Sequence, residues 1–286
     1  MSSDTSAEVP AQMSPRGGEL VARHRLSTRV WHWTNVIAFF IMLMSGLMIF
    51  NAHPRLYWGE YGANFDHPWL EIGATPSGEG KLSIGAVTIK TTGVLGVFTD
   101  AQGVVQHRAF PGAVTIPSYY SLADARIWHL AFAWVLAFGL LGYLLWSLVN
   151  GHLRRDLHIT RAEWRPSHLW HDIKEHARLR FPTGLAALRY NILQKLAYVG
   201  VLFVLLPLVI TTGLGMSPGS DAGMHWLTEL FGGRQSARSV HFLAAFGLVG
   251  FVIVHLLMVV LAGPYNEVRS MITGRFRLPR EKGAEA

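Results

Sequence analysis

The stretch VHFLAAFGLVGFVIVHLLMVVLAG, residues 240–263, decides how the chain is read. It contains no Asp, Glu, Lys or Arg, and its ionisable side chains are His241 and His255. About 20 consecutive apolar residues cross a hydrocarbon core of about 30 Å as a helix, so this segment is long enough to span a bilayer. Fourteen positions separate the two histidines. At about 1.5 Å and 100° per residue they stand roughly 21 Å apart on nearly the same face. One apolar helix thus offers an imidazole near each membrane surface.

Three further windows, residues 30–50, 127–149 and 196–214, are equally free of charge. Buried helices of soluble proteins are usually shorter and amphipathic, so four such windows predict an all-α membrane protein built as a four-transmembrane-helix bundle. The first window starts too late and runs too long for a cleavable signal peptide. Residues 1–20 read as a disordered tail rich in Ser, Pro and Gly, residues 21–275 as the bundle, and residues 276–286 as a C-terminal tail.

Composition agrees. Half of the 286 residues are hydrophobic and 15% are charged, against about 25% in soluble domains. The chain has no cysteine, which excludes disulfides, C-x-x-C-H haem attachment and thiolate-held iron–sulfur clusters. The net charge of +7 is explained by topology rather than by nucleic acid. Eighteen of the 25 Lys and Arg fall in the N-terminal tail, the 150–195 connection and the segment after 263; seven fall in 51–126 and 215–239. The positive-inside rule then puts both termini and the 150–195 loop in the cytoplasm of a bacterial cell, the protein being multi-pass in the inner membrane. The long 51–126 loop faces the periplasm. Within it, alternation over 81–89 after a turn-rich 75–80 predicts a β-hairpin, and Ser121 to Asp124 has capping-box spacing that starts the second helix near Leu122. Residues 166–181, with Trp164 and Trp170 nearby, predict an interfacial cytoplasmic helix.

Ionisable groups inside a membrane are costly and point to function. Four histidines occupy the spans or their ends: His32, His129, His241 and His255. The alternating direction of the helices sorts them by depth, His129 with His241 at the outer level and His32 with His255 at the inner. Two imidazoles at one depth suit the two axial positions of a six-coordinate haem. Zinc fits less well, because each layer lacks the Cys, Asp or Glu that would complete a tetrahedron. Gly46, fourteen positions after His32, either lets a porphyrin approach the backbone or serves close helix packing. Ala244 and Ala245 leave similar room beside His241. Arg25 and Arg29 at the inner level, and Arg126 and Arg238 at the outer, are candidates to pair with haem propionates, or else anchor the helix ends. The His168/His171 pair is read as a solvated face, and His53, His67 and His107 carry no recognised motif.

At these residues the sequence resembles the prokaryotic cytochrome b561 and nickel-hydrogenase/formate-dehydrogenase cytochrome b superfamily. The likeness is carried by Arg29-Val-Trp-His32-Trp, Arg126-Ile-Trp-His129 and the two histidines of the last span, and covers about residues 20 to 275. Asn51-Ala-His-Pro-Arg-Leu-Tyr-Trp-Gly59 and Tyr190-Asn-Ile-Leu-Gln-Lys195 are similar to the branch of thiosulfate-reductase-type cytochrome b subunits. The resemblance implies that the four histidines ligate two b-type haems, and it suggests a periplasmic molybdopterin enzyme as partner. The long outer loop, absent from the shortest members, favours a docked partner over a stand-alone oxidase. With no Rossmann glycine fingerprint and no cluster cysteines, the chain is expected to carry electrons between that partner and the quinone pool. Asn35, Asn150 and Tyr265 are inner-side polar candidates for a quinone site. The rival readings are a stand-alone quinol-linked superoxide or ferric oxidoreductase, a non-redox transporter or metal-binding membrane protein, and an anchoring subunit with structural haems.

Overall fold

The computed structural model describes residues 18–62, 66–151, 157–161, 163–178 and 191–278. Tyr190 and most of the expected tails lie outside the described residues, as do the last residues of the expected interfacial helix.

Four helices are long and apolar enough to cross a membrane: α1 (Leu26–Asn51), α2 (Leu122–Val149), the continuous segment Ile192–Met216, and α7 (Arg234–Ala262). Each reaches beyond its uncharged window, because helical hydrogen bonding continues into the polar flanks after the apolar stretch has ended. Ser121 caps α2, its hydroxyl accepting from the Asp124 N–H at 3.3 Å. The third span is not regular. It runs as α4 (Ile192–Gly200), a π-helical stretch Val201–Leu205, and α5 (Leu206–Met216). Pro207 lacks an N–H and its ring crowds the carbonyl four residues back, and a wider π turn accommodates both faults.

The chain divides into two compact units. The larger, Val30–His158 with Gln194–Leu256, holds the bundle and the long loop. Leu136 and Leu140 of α2, Leu206 and Val209 of α5, and Ala244 and Leu248 of α7 form its apolar core, with Trp31, Phe39 and Met42 of α1 packed against them. Polarity is inverted relative to a soluble protein. Ser45, Ser147, Thr212 and Ser239 are almost wholly buried, whereas Phe138 is 63% exposed and Ile253 62% exposed. In water each such apolar side chain forgoes roughly 1.5–3 kcal/mol of burial, and small residues between helices with large ones outside is the pattern of a lipid-facing bundle.

The long loop is itself folded. Four strands, β2 (Arg55–Leu56), β3 (Leu70–Ala74), β4 (Gly80–Ile84) and β5 (Val87–Lys90), form one antiparallel sheet in that order. The alternating 81–89 stretch is its β4–β5 hairpin, and β6 (Phe98–Thr99) pairs with β7 (Val105–Gln106) beyond it. Leu56, Leu70, Ile72, Ala109 and Phe110 close a second apolar core on Phe50 of α1. The Asn51 amide clamps that junction, donating to the Phe110 carbonyl at 3.0 Å and accepting the Phe110 N–H at 2.7 Å. Trp69 adds a tie to α7: its indole N–H donates to Ser239 Oγ at 2.9 Å, and Ser239 donates to the Tyr57 carbonyl at 2.6 Å. A helix the sequence did not announce, α6 (Pro218–Leu230), fills the connection before α7.

The smaller unit comprises Met1–Arg29, Ile159–Leu193 and Leu257–Ala286. Its β1 (Leu20–Ala22) pairs antiparallel with β8 (Arg275–Arg277), and Arg23 holds Glu267 of α8 (Pro264–Thr273) at 3.0 Å. The helix α3 (Pro166–Ala177) belongs to this unit.

Candidate haem-ligating site

The structure brings the four span histidines together as two pairs. His129 of α2 and His241 of α7 have ring centroids 6.2 Å apart with planes at 61°. His32 of α1 and His255 of α7 are 6.3 Å apart at 63°. These are the two histidine pairs expected from the sequence. A metal–imidazole bond is about 2 Å long and the nitrogen lies roughly 1 Å from its ring centre, so two imidazoles on opposite sides of one metal atom have centroids about 6 Å apart. Among the described residues no group of three or more His, Cys, Asp or Glu could hold a metal ion. Each pair therefore suits a metal whose remaining ligands come from elsewhere, as a porphyrin supplies them.

The pair nearer the long loop is fixed from behind. His129 Nδ1 lies 3.1 Å from the Met42 carbonyl and 3.1 Å from Ser45 Oγ. The Ser45 hydroxyl donates to the Ile41 carbonyl at 2.6 Å, so against both groups His129 Nδ1 is the donor. His241 is held likewise. Its Nδ1 is 3.0 Å from Thr212 Oγ1, and Thr212 donates its own proton to the Leu208 carbonyl. Protons on both Nδ1 atoms leave both Nε2 lone pairs free, the tautomer of a metal-ligating imidazole whose other nitrogen is anchored by a second hydrogen bond.

Each hydroxyl is followed by a glycine. A Cβ at Gly46 would stand 3.3 Å from His129 Cε1, and one at Gly213 would stand 3.5 Å from His241 Cε1. Ser45-Gly46 on α1 and Thr212-Gly213 on α5 thus seat the two imidazoles in the same way. Gly46 was expected at this level; Ser45, Thr212 and Gly213 were not. The signal was present as a hydroxyl–glycine dipeptide in two spans, and a third span without histidine drew no attention to itself.

The other expected residues divide. Arg238 is half-buried and donates to the His53 carbonyl at 2.5 Å. Arg25 and Arg126 are exposed. Arg29 donates to the Ile272 carbonyl and lies against Gly274 within the smaller unit. Ala244 is buried in the apolar core. Asn35 is spent on its own helix, donating to the Trp31 carbonyl at 2.7 Å, Asn150 caps α2, and Tyr265 is 80% exposed on α8. His168 lies 3.9 Å from Asp172 on the surface of α3.

A bundle of four spans with facing histidine pairs defines a class, the membrane cytochromes b. This chain belongs to the prokaryotic cytochrome b561 family, whose profile matches residues 23–274. Membership implies b-type haem and places the chain among multi-pass electron-transfer proteins of hydrogenases and related oxidoreductases. A "Probable Ni/Fe-hydrogenase B-type cytochrome subunit" of Azotobacter vinelandii is 30% identical over 186 residues, covering 61% of this chain and 74% of the relative. A "Putative protein-methionine-sulfoxide reductase subunit YedZ1" of Azospira oryzae is 26% identical over 246 residues, 85% of this chain and 92% of its own. The "Putative cytochrome YdhU" of Escherichia coli is 29% identical over 191 residues, 64% and 69% of the two chains. No solved structure matches.

Proposed function

We propose that the chain is the membrane-anchoring diheme cytochrome b subunit of a respiratory oxidoreductase. It passes electrons between the quinone pool and a periplasmic subunit of molybdopterin type, and both its termini lie in the cytoplasm of an inner-membrane protein. The observation that carries the reading is the pair of facing histidine pairs, each at the separation one iron atom requires. Haem held between the two imidazoles of each pair would supply one-electron chemistry. His129 and His241 would hold the periplasmic-side group and His32 and His255 the cytoplasmic-side group; Gly46 leaves room beside the His129 imidazole, and Arg126 and Arg238 are the cations offered to propionates. Two relatives named for subunits of a hydrogenase and a reductase support a docked redox partner, and the folded loop of this chain is the surface on which it would rest. With quinone reacting at the cytoplasmic side, each electron works with or against up to about 2.3 kcal/mol per 100 mV of membrane potential.

Purified protein is expected to carry two low-spin b haems per chain. His241→Ala removes the group next to the long loop and spares the other, and His32→Ala does the reverse. Loss of the same haem in both variants, or a single haem in the parent, defeats the assignment. Affinity purification from native membranes is expected to bring down a large periplasmic subunit; a chain that purifies alone and oxidises quinol by itself supports the stand-alone reading instead.

A further inference from the structure

Beyond the loop-side histidine pair the bundle ends in a group of polar side chains that internal contacts leave unsatisfied. Arg238 precedes His241 by one helical turn, about 4.5 Å along α7. Its guanidinium lies 5.7 Å from the centre of the Phe50 ring, which in turn packs 5.0 Å from Phe242. On α1 the line from Ser45-Gly46 through Phe50 leads to His53, whose carbonyl accepts from Arg238. The faces that hold His129 and His241 therefore converge on this group.

Five buried side-chain polar atoms among the described residues have no hydrogen-bond partner, and three of them are here: His53 Nε2, Tyr57 Oη and Gln235 Oε1. The His53 and Tyr57 rings stack 5.8 Å apart. Buried polar atoms are nearly always paired in native proteins, and an uncompensated buried cation is more costly still. Arg55, the other guanidinium beside His53, is neutralised by Glu71 at 2.9 Å and also faces the Tyr57 oxygen, which leaves the Tyr57 proton free to donate. No carboxylate among the described residues pairs with Arg238. Burial first, then Arg238 and Arg55, lower the His53 pKa, so at neutral pH its ring is uncharged and can carry its proton on Nε2.

Guanidinium, phenol and imidazole N–H are all donors, and one ionised carboxyl accepts from several donors at once. We infer that Arg238, His53 and Tyr57 form a carboxylate-binding site, and that it holds a propionate of the haem bound between His129 and His241. The inference rests on the diheme reading for the haem itself. Gln235 stands a further turn out on α7, and its amide, turned over, presents an N–H to the same site. The group also gives a role to the Asn51–Gly59 motif: it supplies His53 and Tyr57.

The test is a cycle between protein and cofactor. Apoprotein is reconstituted in detergent with protohaem or with its dimethyl ester, which has no ionisable carboxyl, and haem loss from the His129/His241 level to a scavenging globin is timed. Arg238→Gln is expected to speed loss of protohaem about tenfold and to leave loss of the ester unchanged, a coupling of the size found for groups in direct contact. Arg238→Lys should keep part of the retention. The haem between His32 and His255 serves as the control for folding. Tyr57→Phe, which keeps the ring and removes the hydroxyl, should repeat the pattern more weakly. Equal acceleration with both haems, or none with either, overturns the site while leaving the diheme reading standing. A parent protein that takes up no haem at this level overturns both.

Discussion

Thr212 and Ser45 do the same work from opposite sides of the bundle. Each spends its proton on the carbonyl four residues back in its own helix and turns its oxygen toward an imidazole Nδ1. Donation from Nδ1 makes the ring a richer electron donor through Nε2 and would favour the oxidised state of a metal held there. Thr212→Val keeps the shape and removes one acceptor, leaving the Val209 carbonyl, so the midpoint potential of a haem held between His129 and His241 should rise, by up to about 59 mV if the equilibrium moves tenfold. A redox titration in which no midpoint moves would show that Thr212 only fills space. The histidines were legible in the sequence because ionisable side chains are rare inside spans, so their spacing stood out. The hydroxyls were not, because Ser and Thr are ordinary in membrane helices and only a partner across the bundle gives one of them meaning.

At the scale of elements, close approach is what the helices are built for. Trp31 of α1 stacks on Tyr143 of α2 at 5.2 Å, nearly parallel. A Cβ on Gly139, one turn earlier, would come within 2.6 Å of Trp31 Cζ3. A rigid indole cannot yield at that distance, so Gly139→Ala should force the two helices apart and cost about 1–3 kcal/mol, as overpacking does. Thermal unfolding in detergent should show a clear fall in midpoint, whereas Gly142→Ala, where an added Cβ meets nothing within 4 Å, should not. The spans were readable from hydropathy because a bilayer sets their length. Their ends were not, since the flanks of α1 and α7 are polar yet still helical. The helix α6 was missed because Pro218-Gly-Ser reads as a turn and a break at Met224 interrupts its period. The β4–β5 hairpin announced itself by alternation, but the two residues of β2 are too few to show any.

Over the whole molecule, three strands of the folded loop share one carboxylate. Glu71 accepts from Lys81 at 2.7 Å and from Arg55 at 3.0 Å, linking β2, β3 and β4. Burial alone would raise its pKa, but the hydrogen bonds and charges of Lys81 and Arg55 outweigh burial and hold it below the ordinary 4.5. A depressed carboxyl contributes stability that is complete above its unfolded pKa and lost as pH falls through the folded one. The sheet should therefore resist protease at neutral pH and loosen in acid below about pH 4.5. Glu71→Gln should be weakened already at neutral pH and lose that acid response. A parent protein whose proteolysis is flat down to pH 3 would remove Glu71 from this role.

The pairing of β1 with β8 sets a timetable for biosynthesis. Leu20 lies opposite Arg277, so β1 cannot find its partner until Arg277 has left the ribosome. At about 5–20 residues per second that wait is on the order of 10 to 50 s. Throughout it Arg23 must remain without Glu267 and the strand edge stays bare, open to whatever the insertion machinery or a chaperone offers in the meantime.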